Sequence, residues 1–92
     1  AWFGFPVTVK PGAPYSCAAA RKHLDDAGVE TRPIICGNIA LQPGLHDYEF
    51  RTVGDLAAAT NVMQNSFSIG NHHAVRAEDV DWVRDLLASL PR

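Results

Sequence analysis

Four side chains in this sequence stand out as candidates for recognising phosphates and sugar hydroxyls: Arg32, Asn38, Gln42 and His73. Three of them fall in one stretch, Arg32-Pro33-Ile34-Ile35-Cys36-Gly37-Asn38-Ile39-Ala40-Leu41-Gln42-Pro43. An arginine at a strand edge presents a planar fork that grips a phosphate or carboxylate through two hydrogen bonds. Asn38 and Gln42 are amides, each donor and acceptor at once, and so suited to hydroxyls. The competing readings are structural: a solvated charge at Arg32, a turn cap at Asn38, a surface corner at Gln42-Pro43. A loop held on a fixed scaffold is where binding side chains concentrate, but on the residues alone the structural reading prevails for Asn38 and Gln42, while Arg32 is evenly balanced.

Other reactive types carry less. His72 and His73 are adjacent, and neighbouring side chains on an extended segment point to opposite sides. With His46 and Cys36 elsewhere in the chain, no converging ligand set is expected, and a metal site is not predicted. One histidine of the pair, His73, is the candidate for a cleft. Cys36 ends an apolar run and is expected to be a small buried residue. Lys10 lies beside a Pro-Gly turn and reads as solvated, unlike the desolvated lysine of a Schiff-base enzyme. No catalytic residue and no residue for binding a cofactor is assigned within these residues. There is no glycine-rich phosphate loop, no Gly-x-Ser-x-Gly elbow and no Cys-x-x-Cys.

The elements that must hold these side chains follow from periodicity. Residues 2–10 alternate and read as a strand, ended by Lys10-Pro11-Gly12-Ala13-Pro14. Ser16 is an N-cap for a helix over residues 18–27, with Ala20, Leu24 and Ala27 on one face and Gly28 as its stop. Residues 29–36 read as a second strand. Residues 37–50 lack periodicity, and a structureless loop of that length is commonly functional. A helix is expected over residues 53–64, with Leu56, Ala59 and Met63 inward. A third strand is expected over residues 66–69. A closing amphipathic helix spans residues 77–90, with Val80, Val83, Leu87 and Leu90 inward and Glu78, Asp79 and Asp81 at its positive end. The expected fold is α+β, a small three-stranded, mainly antiparallel sheet covered by helices.

The 92 residues suffice for a single small domain. An apolar fraction of 47%, a charged fraction of 20% and a net charge of -2 describe a globular chain without the basic footprint of a nucleic-acid binder. No apolar run approaches a membrane span, and no leader peptide is visible. Two cysteines make no disulfide framework, so a reducing, cytoplasmic setting is expected. The chain opens at Ala1-Trp2 without methionine, from which residues 1–92 are expected to be the C-terminal fragment of a larger protein.

The combination of motifs resembles a known family. Trp2-Phe3-Gly4-Phe5-Pro6, Thr31-Arg32, Gly37-Asn38 with Gln42-Pro43, Arg51-x-Val53-Gly54-Asp55-Leu56, Met63, Phe67-x-Ile69-Gly70 and Glu78-Asp79-Val80-Asp81-Trp82-Val83 occur in this order. Together they resemble the C-terminal small domain of the DegT/DnrJ/EryC1/StrS sugar aminotransferases. Gly-Asn-x-x-x-Gln-Pro is similar to the branch of nucleotide-4-keto-6-deoxyhexose 3-dehydratases of the RfbH type, active in lipopolysaccharide and deoxysugar biosynthesis. Leu41 stands where that branch carries arginine, and Arg76 where it carries a Thr or Ser cap.

The resemblance implies a fold-type I enzyme whose large domain holds pyridoxal or pyridoxamine phosphate, with a histidine there in place of the Schiff-base lysine. In some members an iron–sulfur cluster sits on large-domain cysteines. It implies Arg32, Asn38, Gln42 and His73 as substrate contacts, with no catalytic, cofactor or metal residue in this fragment. The implied partners are the large domain, a nucleotide sugar and a second subunit in a homodimer. The fragment alone would be inactive. From the residues by themselves a free-standing small-ligand-binding or regulatory module stays open.

Overall fold

The computed structural model describes residues 2–91. Its elements are β1 (Gly4–Thr8), α1 (Cys17–Asp26), β2 (Thr31–Pro33), α2 (Ala57–Asn65), β3 (Ser66–Gly70) and α3 (Ala77–Ala88), with two 3-10 turns, Ile39–Leu41 and Pro43–Asp47, between β2 and α2. The sheet order is β1-β3-β2 and both pairings are antiparallel. This is the α+β fold expected, and the aperiodic stretch proves to contain two short helical turns.

Side chains alternate across a strand, so the register divides the sheet into two faces. Val7 opposes Phe67, and Thr31 opposes Ile69. Phe67 and Ile69 face α1 and α3, where Ala20, Leu24, Phe67 and Leu90 form the buried core. The other face carries Pro6 opposite Ser68 and Arg32 opposite Ser68. On it Thr8 and Ser66 join their hydroxyls at 2.8 Å.

Local chemistry explains the ends of α1. Ser16 Oγ accepts from the Ala19 amide at 3.1 Å and caps the helix. At the other end Gly28 has φ +91°, and its amide donates to Asp25 O while that of Val29 donates to Leu24 O. This double bond pattern closes a helix with a left-handed residue, a conformation in which glycine avoids a Cβ clash. It returns Val29 to the core beside Leu24. Asp25 then accepts from both the amide and the hydroxyl of Thr31, and Arg21 Nε donates to the same hydroxyl, tying α1 to β2. His23 Nε2 lies 3.0 Å from both Leu86 O and Ser89 Oγ, clamping α1 to the last turn of α3. A carbonyl can only accept, so Nε2 carries the hydrogen.

Five sequence expectations change. β1 is shorter than residues 2–10, because its only partner, β3, is five residues long. β2 has three residues instead of eight: Val29 belongs to the helix closure, Pro33 offers no N–H, and Cys36 and Gly37 both take positive φ. Cys36 is exposed rather than buried for the same reason, since the left-handed turn swings it out of the strand. α2 starts at Ala57, not near residue 53, because Gly54 and Leu56 are left-handed and break the helical path. On α3, Val80 is exposed, and the packed residues are Val83, Leu86 and Leu87, with Leu90 following just past the helix end. The helix meets the core only through its second half.

Arg76 precedes α3 and has no acceptor to offer as a cap. The reciprocal half of the motif survives, with Asp79 Oδ2 accepting from the Arg76 amide at 2.9 Å. Among the described residues no helix is long and apolar enough to cross a membrane.

Candidate functional site

The segment leaving β2 is laid onto α2 by two contacts. Gly37, at φ +61°, passes so close to Met63 that a Cβ would sit 2.6 Å from the Met63 Cβ. Asn38, only 4% exposed, donates from Nδ2 to Thr60 Oγ1 at 3.1 Å, and its Oδ1 accepts from the Ala40 amide at 3.1 Å. The second bond caps the first 3-10 turn. Gln42 then reaches back, its Nε2 donating to Cys36 O at 2.8 Å, so the loop closes on itself. The result is a preformed loop with its backbone fixed at both ends.

The sequence-predicted residues divide into three places. Asn38 and Gln42 share this loop. Arg32 lies on the edge strand β2, on the face away from α1 and α3. Its Nε and Nη2 both donate to Glu30 Oε1, at 3.0 and 2.7 Å. Both side chains are about three-quarters exposed, so this ion pair contributes little and can exchange Glu30 for another anion. His73 is elsewhere. β2 runs antiparallel to β3 and leaves it beside Phe67, near the start of β3, whereas His73 follows Gly70 at the other end. Four residues of strand, roughly 13 Å, separate those ends. His73 is exposed and meets His72 edge-on, with ring centroids 6.0 Å apart.

Two positions that sequence reasoning did not assign to the site hold it. Thr60 anchors Asn38, and Met63 receives Gly37. Met63 was readable as an inward residue of α2, but no short-range pattern pairs it with a glycine 26 positions earlier. Thr31, quoted in the sequence only as part of a motif, is 8% exposed and joins Asp25 and Arg21 just before Arg32, fixing the entry of the strand.

Pyridoxal phosphate does not fit the residues present. A Schiff base needs a sheltered lysine. Lys22 is 75% exposed and bonded to Asp26 at 2.7 Å. Lys10 borders a cleft of about 460 Å³ whose floor is Val7, Val9, Ala20, Phe67 and Leu87, with no second cation to hold a phosphate. Among the described residues no group of three histidine, cysteine or acidic side chains converges to hold a metal ion. Cys17 sits in α1 against the core, and Cys36 lies on the loop.

Comparison with known proteins decides the lineage. Residues 1–88 match the DegT/DnrJ/EryC1/StrS aminotransferase family. This chain belongs to that family. Among DegT-family relatives it is 34% identical over 82 residues to the lipopolysaccharide biosynthesis protein RfbH of Salmonella typhimurium, covering 89% of this chain and 19% of that protein. It is 30% identical over 87 residues to the GDP-4-keto-6-deoxy-D-mannose 3-dehydratase of Yersinia pseudotuberculosis, covering 94% of this chain and 22% of that protein. A solved structure of GDP-4-keto-6-deoxymannose-3-dehydratase with a trapped PLP-glutamate geminal diamine superposes with a TM-score of 0.84 at 26% identity, over 94% of this chain and 22% of that one. The Escherichia coli enzyme of the same activity, with bound hydrated PLP, gives the same TM-score. The chain thus spans about a fifth of the length of these DegT-family relatives.

Proposed function

We propose that this chain is the small domain of a pyridoxal- or pyridoxamine-phosphate-dependent nucleotide-sugar 3-dehydratase of deoxysugar or lipopolysaccharide biosynthesis. The observation that carries the reading is its superposition on a PLP-bearing 3-dehydratase across nearly the whole of this chain but only a fifth of the enzyme. Elimination is favoured over transamination because the relatives with a stated reaction are 3-dehydratases. In such an enzyme the cofactor rests on the remaining four-fifths. An iron–sulfur cluster would likewise draw its thiolates from there, since a cluster takes four and this chain has two cysteines.

The part played by these 92 residues is to close the cleft over the sugar nucleotide. Arg32 offers its fork to a phosphate or sugar oxygen, exchanging the exposed Glu30 contact for a charge-assisted one. Gln42 has one amide hydrogen on Cys36 O and keeps its Oε1 for a hydroxyl. Asn38 is buried, so its share is to fix the loop, with any direct contact limited to what its amide has left over. His73, at the far end of β3, serves only a substrate long enough to reach it. The enzyme works as a homodimer with its large domain supplying the rest of the cleft.

The test compares residues 1–92 with the full-length protein that contains them. The full-length protein is expected to show a bound pyridoxal chromophore and to release water from GDP-4-keto-6-deoxymannose or its CDP or dTDP counterpart. The 92-residue chain is expected to do neither. A chromophore on the short chain that hydroxylamine removes would overturn the reading.

A further inference from the structure

We propose that Thr60, on the first turn of α2, is a positioning residue for the substrate loop, setting its conformation through Asn38. The proposal rests on the reading that this loop contacts the sugar nucleotide. Asn38 is nearly buried, and its amide is used at both ends: Nδ2 on Thr60 Oγ1 and Oδ1 on the Ala40 amide. A side-chain amide has a fixed relation between its donor and acceptor ends. The Ala40 N–H can only donate, so it takes Oδ1, and the Thr60 hydroxyl accepts from Nδ2 at the other end and holds the buried amide where Oδ1 caps Ala40. With the amide turned over, an N–H would confront the Ala40 N–H and the 3-10 turn would lose its cap.

The consequence runs to Gln42. Its amide hydrogen bonds to Ile39 O at the end of the capped turn, while its side chain returns to Cys36 O. Both bonds need the turn to be wound. Thr60 thus governs the direction of Gln42 Oε1 from a distance of 18 residues in sequence, without facing the substrate. The remaining restraint, Gly37 against Met63, sets how close the loop lies to α2 but does not hold the Asn38 side chain. The hydroxyl is the part that matters: valine has nearly the same shape as threonine but offers no oxygen to Nδ2.

The experiment is done on the full-length enzyme, with the GDP-, CDP- or dTDP-linked 4-keto-6-deoxyhexose that it turns over. Thr60→Val is expected to raise the hydrogen-exchange rate of the Ala40 amide and to raise KM about fivefold to tenfold, the scale of one lost hydrogen bond. It should leave kcat within about twofold, because the chemistry lies on the other domain. Thr60→Ser should restore both exchange and KM. Thr60→Ala serves as a second variant, since alanine favours the helix and any loss then comes from the missing hydroxyl. Unchanged KM in Thr60→Val, with Gln42→Ala raising it, would overturn the positioning role alone. Unchanged KM in Gln42→Ala, or no turnover of any of the three sugars, would overturn the substrate-loop reading and this proposal with it.

Discussion

Gly37 and Met63 are in contact so close that a Cβ built on the glycine would lie 2.6 Å from the Met63 Cβ and 2.7 Å from its Cα. The near atoms include backbone, so Met63 cannot turn aside. Gly37 also has φ +61°, where a side chain is strained whatever the space. Gly37→Ala is therefore expected to destabilise the chain by roughly 1–3 kcal/mol, the range for overpacking a fixed interface. Gly44→Ala, where nothing lies within 4 Å of the added Cβ, should stay within about 0.5 kcal/mol. Urea denaturation of both variants checks the contrast. Equal midpoints would mean that the loop moves off α2 freely.

The core sets a second expectation. Only Ala20, Leu24, Phe67 and Leu90 are buried apolar residues among those described, and Phe67 is the largest. Truncating a buried phenylalanine costs about 3–5 kcal/mol, comparable with the whole stability of a small domain. Phe67→Ala should abolish the cooperative thermal transition of the 92-residue chain. Val80→Ala, on the exposed part of α3, should leave it nearly in place. A preserved transition in Phe67→Ala would mean that the sheet and helices are held by something other than this core.

The sequence revealed elements wherever the signal was local and repeated. Ser16, the Ala20/Leu24 spacing and Gly28 delimit α1 almost to the residue, and Phe67/Ile69 mark β3. It failed where left-handed residues interrupt a run. Cys36 and Leu56 have side chains that ordinarily avoid positive φ, so nothing in their type warns that β2 ends early or that α2 starts late. For the site, the loop was legible as polar residues in an aperiodic stretch. Its closure was not, because the Asn38–Thr60 bond joins residues 22 apart and depends on how α2 is docked. The inward face of α3 was right at Val83, Leu87 and Leu90 and wrong at Val80, since periodicity cannot tell how much of an amphipathic stripe finds a neighbour.

The two cysteines should differ in reactivity. Cys36 is exposed on the loop, while Cys17 is half-buried on α1. Burial pushes the Cys17 thiol up from its ordinary value of 9.0, with the Arg21 guanidinium opposing in part. The thiolate is the reactive form, so maleimide at pH 7.5 is expected to modify Cys36 first, and Cys17 should gain reactivity only well into alkaline pH. The linkage has the same sign. A thiol whose pKa is raised by folding supports the folded state below pH 9.0 and loses that support as pH climbs through the raised value. Mass mapping of the labelled peptides checks the order. Faster modification of Cys17 would mean that α1 opens readily from the core.

The N-terminal aromatic segment should drive association of the isolated chain. Trp2 and Phe3 are 72% and 92% exposed, Phe5 is 57% exposed, and Trp2, Phe5, Pro6 and Asn71 border a hollow of about 500 Å³. Asn71 Nδ2 donates to Trp2 O at 3.0 Å, which holds the segment against the end of β3 rather than leaving it loose. Contiguous exposed apolar surface of this kind marks an interaction site. Sedimentation velocity of the 92-residue chain should show concentration-dependent dimers or larger species, reduced in a Trp2→Ser, Phe3→Ser double variant. A strictly monomeric profile up to millimolar concentration would assign the aromatic segment no such role.

Arg32 gives the sharpest kinetic expectation. Its fork is engaged only by Glu30, two residues away, in an exposed pair. Removing the arginine should therefore cost the fold almost nothing, about 0–1 kcal/mol at most. Its contact with a phosphate or sugar oxygen in the closed cleft would be charge-assisted, and losing one such bond costs roughly 1.5–3 kcal/mol. In the full-length enzyme Arg32→Ala should lower kcat/KM by about tenfold to a hundredfold while the melting temperature stays put. Arg84→Ala is the matched control: Arg84 is also an exposed arginine in an ion pair, with Asp81 and Asp85 on α3, and its loss should change neither quantity. Glu30→Gln adds a discriminating arm. It frees the fork without removing it, so it should leave kcat/KM unchanged or raise it. If Arg32→Ala matches Arg84→Ala in efficiency with the protein folded, Arg32 is a solvated strand-end charge and the sugar nucleotide is held by other residues.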